Sequence, residues 1–430
     1  MNSFYVDYVS SRCYNAPAFV RDCASVMDVL AGKQIVLGVS GSIAAYKVAE
    51  LARNLTLAGA LVDVVMTEAA QRFVGTATFQ ALTGRPVLTD LWALPEDGII
   101  GHVALGRQAN LVILAPATAN TLARIAAGLS DDLLTTTVLA TTAPVLCVPA
   151  MNTHMYTNAA TQENIATLRR RGIVVLEPEV GQLAEPMVGI GRLPSPATIE
   201  GHARAVLGSR VGPLRGRRIV ITAGGTHEPI DPVRFVGNRS SGRMGFALAS
   251  AARDRGAQVT LIAGPTTLPP PVAIDVVRVE TALQMRDAVE AAVAYADLLI
   301  MNAAVADFRP AELSHQKIKK GADEELMLRL VRNPDILAGL ADRHDFLKVG
   351  FAAETHDLEA YARTKLARKG LDMIIANEAV ASIGHDDIAV TLFDAAGSEA
   401  LARQPKAQAA AHILEAILQR WPARLAAISG

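Results

Sequence analysis

Ser40-Gly41-Ser42 follows a short β-branched run, Ile35-Val36-Leu37-Gly38-Val39, and precedes a stretch with helical character. Between a strand and a helix, such a turn offers backbone N–H groups to a phosphate, although a tight packing turn has the same composition. Two later strand ends carry side chains suited to a polar ligand: Thr67 in Met66-Thr67-Glu68, and Thr118 and Asn120 in Pro116-Ala117-Thr118-Ala119-Asn120. Ligands of open α/β sheets bind outside the carboxyl ends of the strands. A second group stands in the other half of the chain. Asn238-Arg239-Ser240-Ser241-Gly242 reads as a loop running into a helix start, again a place for an anion. Lys317-Ile318-Lys319-Lys320 adds positive charge that would serve a polyanion or simply be solvated. Lys365 and Lys369, four apart, share one face of an expected helix.

Other chemistries are disfavoured. No Gly-x-x-x-x-Gly-Lys-Ser/Thr run occurs, which argues against a P-loop NTPase. The nine histidines form neither a Cys/His cluster nor a His-Glu-x-x-His spacing, so zinc chemistry is not expected and no metal ligands are identified. Cys147 sits in an apolar run and reads as a small core residue. Three cysteines in 430 residues are too few for a disulfide framework, which favours a reducing, cytoplasmic setting. A formal net charge of −1 gives no electrostatic reason to expect nucleic acid or an anionic membrane as partner. No apolar run approaches the ~20 residues needed to span a bilayer. Residues 1–30 lack the features of a secretory signal and read as a poorly ordered extension, with Met27 as a candidate start.

The elements that must position these groups repeat. Ile35–Val39, a Ser-Gly turn, a helix over 43–58 and a strand over 61–66 are echoed by Ile219–Ala223, Gly224-Gly225-Thr226, a helix over 242–255 and a strand over 258–263. Strands are expected at 111–115, 145–148 and 173–176 in the first half, and at 297–303, 347–351, 373–376 and 388–393 in the second. With 51% hydrophobic and only 4% aromatic residues, the composition suits sheets buried under helices on both faces. The expected fold class is therefore α/β, with two doubly wound, mostly parallel-sheet, Rossmann-like domains. Their expected bounds are 31–207 and 217–430, joined by a glycine-rich basic linker at 208–216.

Val39-Ser40-Gly41-Ser42-Ile43-Ala44-Ala45-Tyr46-Lys47, Leu114-Ala115-Pro116-Ala117-Thr118-Ala119-Asn120 and Pro149-Ala150-Met151-Asn152 closely resemble the bifunctional phosphopantothenoylcysteine decarboxylase/phosphopantothenate–cysteine ligase family, over about residues 30–425. The resemblance implies a flavodoxin-like decarboxylase domain holding FMN near Gly41, Ser42, Thr67, Thr118 and Asn120, with His102 and Asn152 acting on the substrate. It also implies a ligase domain that joins 4′-phosphopantothenate to cysteine with CTP and Mg²⁺ through an acyl-cytidylate. There Asn238 would position the acyl intermediate, and Lys317 would face the phosphates. Met301, Asn302, Ala303, Asp307, Lys317, Pro334, Asp335, Ile336, Leu337, Phe351, Lys365 and Lys369 would surround the nucleotide. The partners implied are these small molecules and further copies of the chain as a homo-oligomer.

The chemistry suits those residue types. A carboxylate leaves as CO₂ only when the electrons left behind have a sink, which oxidation of the adjacent CH₂–SH provides. An imidazole assists as acid or base near neutral pH. An amide holds the carboxylate without adding charge. One departure stands out. The family's substrate flap carries Gly-x-x-Ala-Cys-Gly, whose cysteine supplies a proton. Gly181-Gln182-Leu183-Ala184-Glu185-Pro186 stands here, with Glu185 at the cysteine position. Glutamate is ordinarily ionised at pH 7, so it donates only if its surroundings favour the neutral acid. Three readings follow: the bifunctional enzyme with Glu185 as donor, a ligase with an impaired decarboxylase, and a flavin-binding regulatory protein.

Overall fold

The computed structural model describes residues 28–93, 101–319, 326–354, 358–378 and 385–426. The expectation for the N-terminal extension falls outside these residues up to residue 27. Residues 28–30 belong to the first unit: Leu30 is fully buried, and Asp28 accepts from Arg204 Nη1 at 2.7 Å.

The first unit is a five-stranded parallel sheet built from β1 (Gln34–Val39), β2 (Leu61–Met66), β3 (Leu111–Ala117), β4 (Val145–Pro149) and β5 (Val174–Val175), in the order β2-β1-β3-β4-β5. Its strands are continuous apolar runs because both faces are covered. Ile35, Leu37 and Val39 pack with Val48, Leu51 and Leu55 of the helix Ala45–Leu57. Val36, one residue out of phase, packs with Leu122 and Leu134 on the opposite face. Each such side chain contributes about 1.5–3 kcal/mol on full burial. A hairpin of β6 (Glu179–Gln182) and β7 (Val188–Arg192) follows β5 outside this sheet.

The second unit comprises β8 (Arg218–Ala223), β9 (His227–Pro229), β10 (Phe235–Gly237), β11 (Gln258–Ala263), β12 (Asp275–Arg278), β13 (Leu298–Met301), β14 (Phe308–Pro310), β15 (Leu330–Arg332), β16 (Leu347–Glu354), β17 (Met373–Glu378), β18 (Asp387–Asp394) and β19 (Ser398–Pro405). Eight of them form one sheet, β12-β11-β8-β13-β16-β17-β18-β19, parallel except that β18 pairs antiparallel with both its neighbours. β9–β10 and β14–β15 are separate antiparallel ribbons. The mostly parallel, doubly wound class expected from the sequence is the observed one.

The linker expectation needs correction. The helix Pro196–Val211 runs through the first four residues assigned to it. Gly208 is required there by contact rather than by flexibility, since a Cβ would lie 2.5 Å from the carbonyl oxygen of Asp254. This helix packs against Arg243–Asp254 of the second unit, and Arg204 reaches Asp254 at 3.8 Å. Residues 173–176 shrink to a two-residue strand, with only Leu146 and Cys147 of β4 as ladder partners. Among the described residues no helix is long and apolar enough to cross a membrane.

Candidate active sites

In each sheet the chain reverses its direction of growth beside the first strand: between β1 and β3, and between β8 and β13. Ligands of doubly wound folds sit at such points, outside the carboxyl ends of the strands.

At the first, Ser40 ties the two strands together. Its buried Oγ donates to the Pro116 carbonyl at 2.6 Å and accepts the Thr118 N–H at 3.0 Å. Gly41 lies hard against the loop after β2, where a Cβ would come within 2.4 Å of Ala69 Cβ. Thr67 accepts the Ala70 N–H at 3.3 Å, and Thr118 caps the helix Ala119–Ala127 by accepting from Thr121. Because β1, β2 and β3 are parallel, Gly41, Ser42, Thr67, Thr118 and Asn120 come to one edge. The helix Gly101–Gln108 runs against that direction. Its last residue bonds Gln34 at the start of β1, so about 9 Å of helix carries His102 towards the same edge. His102 Nδ1 is buried with no partner among the described residues. Hydroxyl, amide and backbone donors at that edge suit a phosphate-bearing ligand.

Asn152 has both ends of its amide committed. It stands before the short helix Thr153–Thr157, and its Oδ1 accepts the His154 N–H at 2.8 Å. That cap fixes the orientation and leaves Nδ2 as the outward group. Nδ2 donates to Glu185 Oε2 at 2.8 Å. Glu185 sits in the loop between β6 and β7, and the strands beside that loop are fastened to the Asn152 region. Thr153 Oγ1 donates to the Ile190 carbonyl at 2.7 Å, and the Met151 N–H to the Gly191 carbonyl at 3.0 Å. Cys147 is fully buried in β4, where burial pushes its thiol up to about 12, in keeping with a core role.

At the second switch point lies a cleft of about 580 Å³. It is lined by Asn238 and by every residue expected around a nucleotide, Lys317 excepted. Met301 ends β13, and Asn302 to Asp307 form the loop after it. Buried Thr222, at the end of β8, accepts the N–H groups of Asn302 (3.1 Å) and Ala303 (3.0 Å). Thr226 accepts that of Ala306 at 2.9 Å. Asn238 Nδ2 donates to the Val305 carbonyl at 3.1 Å. Asp335 caps the turn Ile336–Gly339 and pairs with Lys369 at 3.0 Å. Burial pushes the Asp335 carboxyl up, but Lys369 and the Ala338 N–H outweigh it and hold the group below its ordinary value. Lys365 and Lys369 do lie one turn apart, the Lys369 N–H bonding the Lys365 carbonyl at 3.0 Å.

Lys317 is exposed and does not line the cleft. The next residue is anchored instead: buried Asp231 accepts the Ile318 N–H at 3.1 Å, and Arg234 donates to the Ile318 carbonyl at 3.1 Å. Lys320 lies outside the described residues. Among the described residues no group of three His, Cys, Asp or Glu side chains is arranged to hold a metal.

Sequence reasoning passed over two positioning residues, Thr222 and Lys348, and read Ser40 only as part of a turn. Ser40 and Thr222 share a legible signal, a hydroxyl at the carboxyl end of the first strand of each sheet. Lys348 gave none. It is 1% exposed, and its Nζ donates to the carbonyls of Leu340 (3.1 Å) and Ala341 (2.8 Å), fastening the segment that carries Asp335.

Comparison with known proteins gives two family matches: Flavoprotein over residues 24–206, and DNA/pantothenate metabolism flavoprotein C-terminal domain over residues 214–420. The chain is 48% identical over 398 residues to the coenzyme A biosynthesis bifunctional protein CoaBC of Vibrio cholerae, covering 91% of this chain and 99% of that one. It is 51% identical over 360 residues to the protein of the same name from Mycobacterium tuberculosis, covering 80% and 86%. The Escherichia coli protein of that name is 47% identical over 399 residues, covering 91% and 98%. Among solved structures, a C-terminal domain of CoaBC aligns with TM-score 0.43 and 39% identity, covering 49% of this chain and 99% of that one. A PPC decarboxylase complexed with pantothenoylaminoethenethiol aligns with TM-score 0.37 and 31% identity, covering 40% and 97%.

Proposed function

The chain belongs to the family of coenzyme A biosynthesis bifunctional proteins, with phosphopantothenoylcysteine decarboxylase and phosphopantothenate–cysteine ligase activities, and from that premise we propose how its residues divide the work. The reading as a flavin-binding regulatory protein is not favoured, because the relatives matched over both halves are bifunctional enzymes. The single observation that carries the residue assignments is the cleft at the second switch point, which gathers Asn238 with the expected nucleotide group.

In the ligase, CTP lies across Met301 to Asp307 with its triphosphate towards Lys365 and Lys369. The carboxylate of 4′-phosphopantothenate attacks the α-phosphate, pyrophosphate leaves, and the amine of cysteine then displaces CMP to form the amide. Negative charge grows on phosphate oxygens in the first step, and fixed ammonium groups offset it. Asn238, held through Val305, positions the acyl-cytidylate. Mg²⁺ enters with the triphosphate, since it keeps much of its water and binds mainly through phosphate oxygens.

In the decarboxylase, Gly41, Ser42, Thr67, Thr118 and Asn120 hold FMN. Bound FMN supplies the two-electron oxidation of the cysteinyl CH₂–SH that gives the departing carboxylate's electrons a sink. Asn152 Nδ2 holds the substrate carboxylate, and His102, through its unpartnered Nδ1, moves a proton during the oxidation. Glu185 delivers the proton to the carbon that has lost CO₂. The assembly this reading implies is a homo-oligomer. The setting is cytoplasmic.

The test is mass analysis of products after incubating the protein with 4′-phosphopantothenate, cysteine, CTP and Mg²⁺. Wild type yields 4′-phosphopantetheine, and Glu185→Gln yields the decarboxylated ene-thiol in its place. A wild-type reaction that stops at phosphopantothenoylcysteine would make the protein a ligase with an impaired decarboxylase. Normal phosphopantetheine from Glu185→Gln would remove the donor role. His102→Asn is expected to keep its flavin yet lose at least about 100-fold in CO₂ release, the usual worth of a positioned acid–base group. Full turnover in that variant would take His102 out of the mechanism.

A further inference from the structure

The Asn152 amide nitrogen carries two N–H groups, and a carboxylate already stands on one of them. Its Oδ1 is spent on the His154 N–H, so Nδ2 alone faces outward, and Glu185 Oε2 takes one of its N–H groups at 2.8 Å. The reading above gives that same nitrogen to the carboxylate of the substrate. The Glu185 side chain is exposed, but its backbone is fixed. Its carbonyl accepts the Met187 N–H at 2.7 Å and Gln182 Nε2 at 3.0 Å, and the Leu183 N–H bonds the Met187 carbonyl at 3.0 Å. The strands on either side are stapled to Met151 and Thr153. Two acceptors on one amide nitrogen stand about 5 Å apart, and a carboxylate that close to another is less readily ionised.

The charged neighbours do not relieve the conflict. Arg192 is turned to Glu179 at the base of the hairpin, at 4.0 Å, and His154 engages Asn152 through its backbone. Among the described residues Glu185 forms no ion pair.

We propose that the substrate loads its own proton donor: its carboxylate, arriving on Asn152 beside Glu185, draws one proton from solvent onto the Glu185 carboxylate. This rests on the assignment of Asn152 to the substrate carboxylate and explains how a glutamate donates where the family uses a cysteine. The balance is closed. Solvent gives H⁺ to Glu185. The C–C bond to the substrate carboxylate then breaks, CO₂ leaves, and the electron pair passes into the thiocarbonyl to give an ene-thiolate. The Glu185 O–H bond breaks and its proton goes to the carbon that carried the carboxylate, while bound flavin would return to the thiocarbonyl carbon, as hydride, the two electrons it took in the oxidation. Glu185 is again ionised, on its own N–H of Asn152. The one proton that any decarboxylation consumes is thus taken up at binding.

Proton uptake at pH 7 tests this on the FMN-loaded full chain, by titration calorimetry in buffers of different ionisation enthalpy. The probe is phosphopantothenoylserine, which keeps the carboxylate but has a hydroxyl in place of the thiol and so cannot be oxidised. Phosphopantetheine, which has the same phosphate and no carboxylate, is the reference. Wild type is expected to take up about one proton per site more with the serine probe than with the reference, as for two carboxylates sharing a site. Glu185→Gln is expected to bind the probe at least as well and to take up no extra proton. Equal uptake with both compounds in wild type would overturn the proposal, as would undiminished uptake in Glu185→Gln. Should Glu185→Gln fold poorly, the wild-type comparison alone decides. Failure here is separable from failure of the donor role. Uptake with normal phosphopantetheine from Glu185→Gln would sink the donor alone, and no uptake with accumulated ene-thiol would sink the loading alone.

Discussion

Asn152→Asp is expected to lower CO₂ release by at least about 1,000-fold while amide formation by the ligase continues at the wild-type rate. The substitution is nearly isosteric, and aspartate caps a helix as well as asparagine does, so the His154 N–H keeps its acceptor and the local fold survives. What changes is the outward end of the side chain. Nδ2–H becomes a second carboxylate oxygen, facing both Glu185 and the place assigned to the substrate carboxylate. A hydrogen bond to a charged group is worth about 1.5–3 kcal/mol. Two negative charges about 5 Å apart at an effective dielectric near 20 repel by about 3 kcal/mol. Together these exceed the roughly 4 kcal/mol that a thousandfold loss requires. The measurement is CO₂ release from supplied phosphopantothenoylcysteine, with flavin content and melting temperature as controls. Release within about tenfold of wild type would show that Asn152 does not hold the carboxylate.

How much of this was legible in the sequence depended on what each feature answers to. The central strands were legible because β1, β3, β4 and β8 are apolar runs buried on both faces, and burial is what a run of Val, Ile and Leu encodes. β19, Ser-Glu-Ala-Leu-Ala-Arg-Gln-Pro, carries no such run. It is largely exposed and exists because β18 supplies a partner. The ribbons β6–β7 and β14–β15 are short and open to solvent, with register set by pairing rather than by a buried face. Gly208 was misread for a related reason. Glycine marks either freedom or close approach, and only the carbonyl of Asp254 across the helix contact distinguishes the two.

The sites divide the same way. The turn at Ser40 to Ser42 and the Asn302 to Asp307 loop follow buried strands, and strand ends fix where such loops stand. Asn152 was legible as a residue but not as an oriented donor, because its orientation comes from the cap and from a flap more than 30 residues on. Lys317 lies in a basic segment whose course is set by Asp231 and Arg234, far off in sequence, and no local pattern said which way that segment runs.

Lys369→Met is expected to raise the KM for CTP in the ligase reaction by about 100-fold, with decarboxylation of supplied phosphopantothenoylcysteine unchanged. The side chain of Lys369 is largely shielded from solvent, 17% exposed, and its ammonium lies 3.0 Å from the Asp335 carboxylate on the wall of the cleft. It serves two ends there. It presents charge to the triphosphate, and it neutralises a carboxylate that the polyphosphate would otherwise meet. Methionine keeps the apolar stem of the side chain and removes both. Losing a charge-assisted contact costs about 1.5–3 kcal/mol, and the unmasked Asp335 adds repulsion that partial exposure and salt reduce. A hundredfold change corresponds to about 2.7 kcal/mol, within that range. The two contributions separate in the double variant Lys369→Met/Asp335→Asn. Asparagine still accepts the Ala338 N–H that caps Ile336–Gly339, so the turn is kept while the carboxylate is removed. The double variant should recover about tenfold of the lost affinity, and the recovery should shrink as salt is raised. A KM within about threefold of wild type in the single variant would mean that Lys369 only braces Asp335 and that the triphosphate lies elsewhere in the cleft.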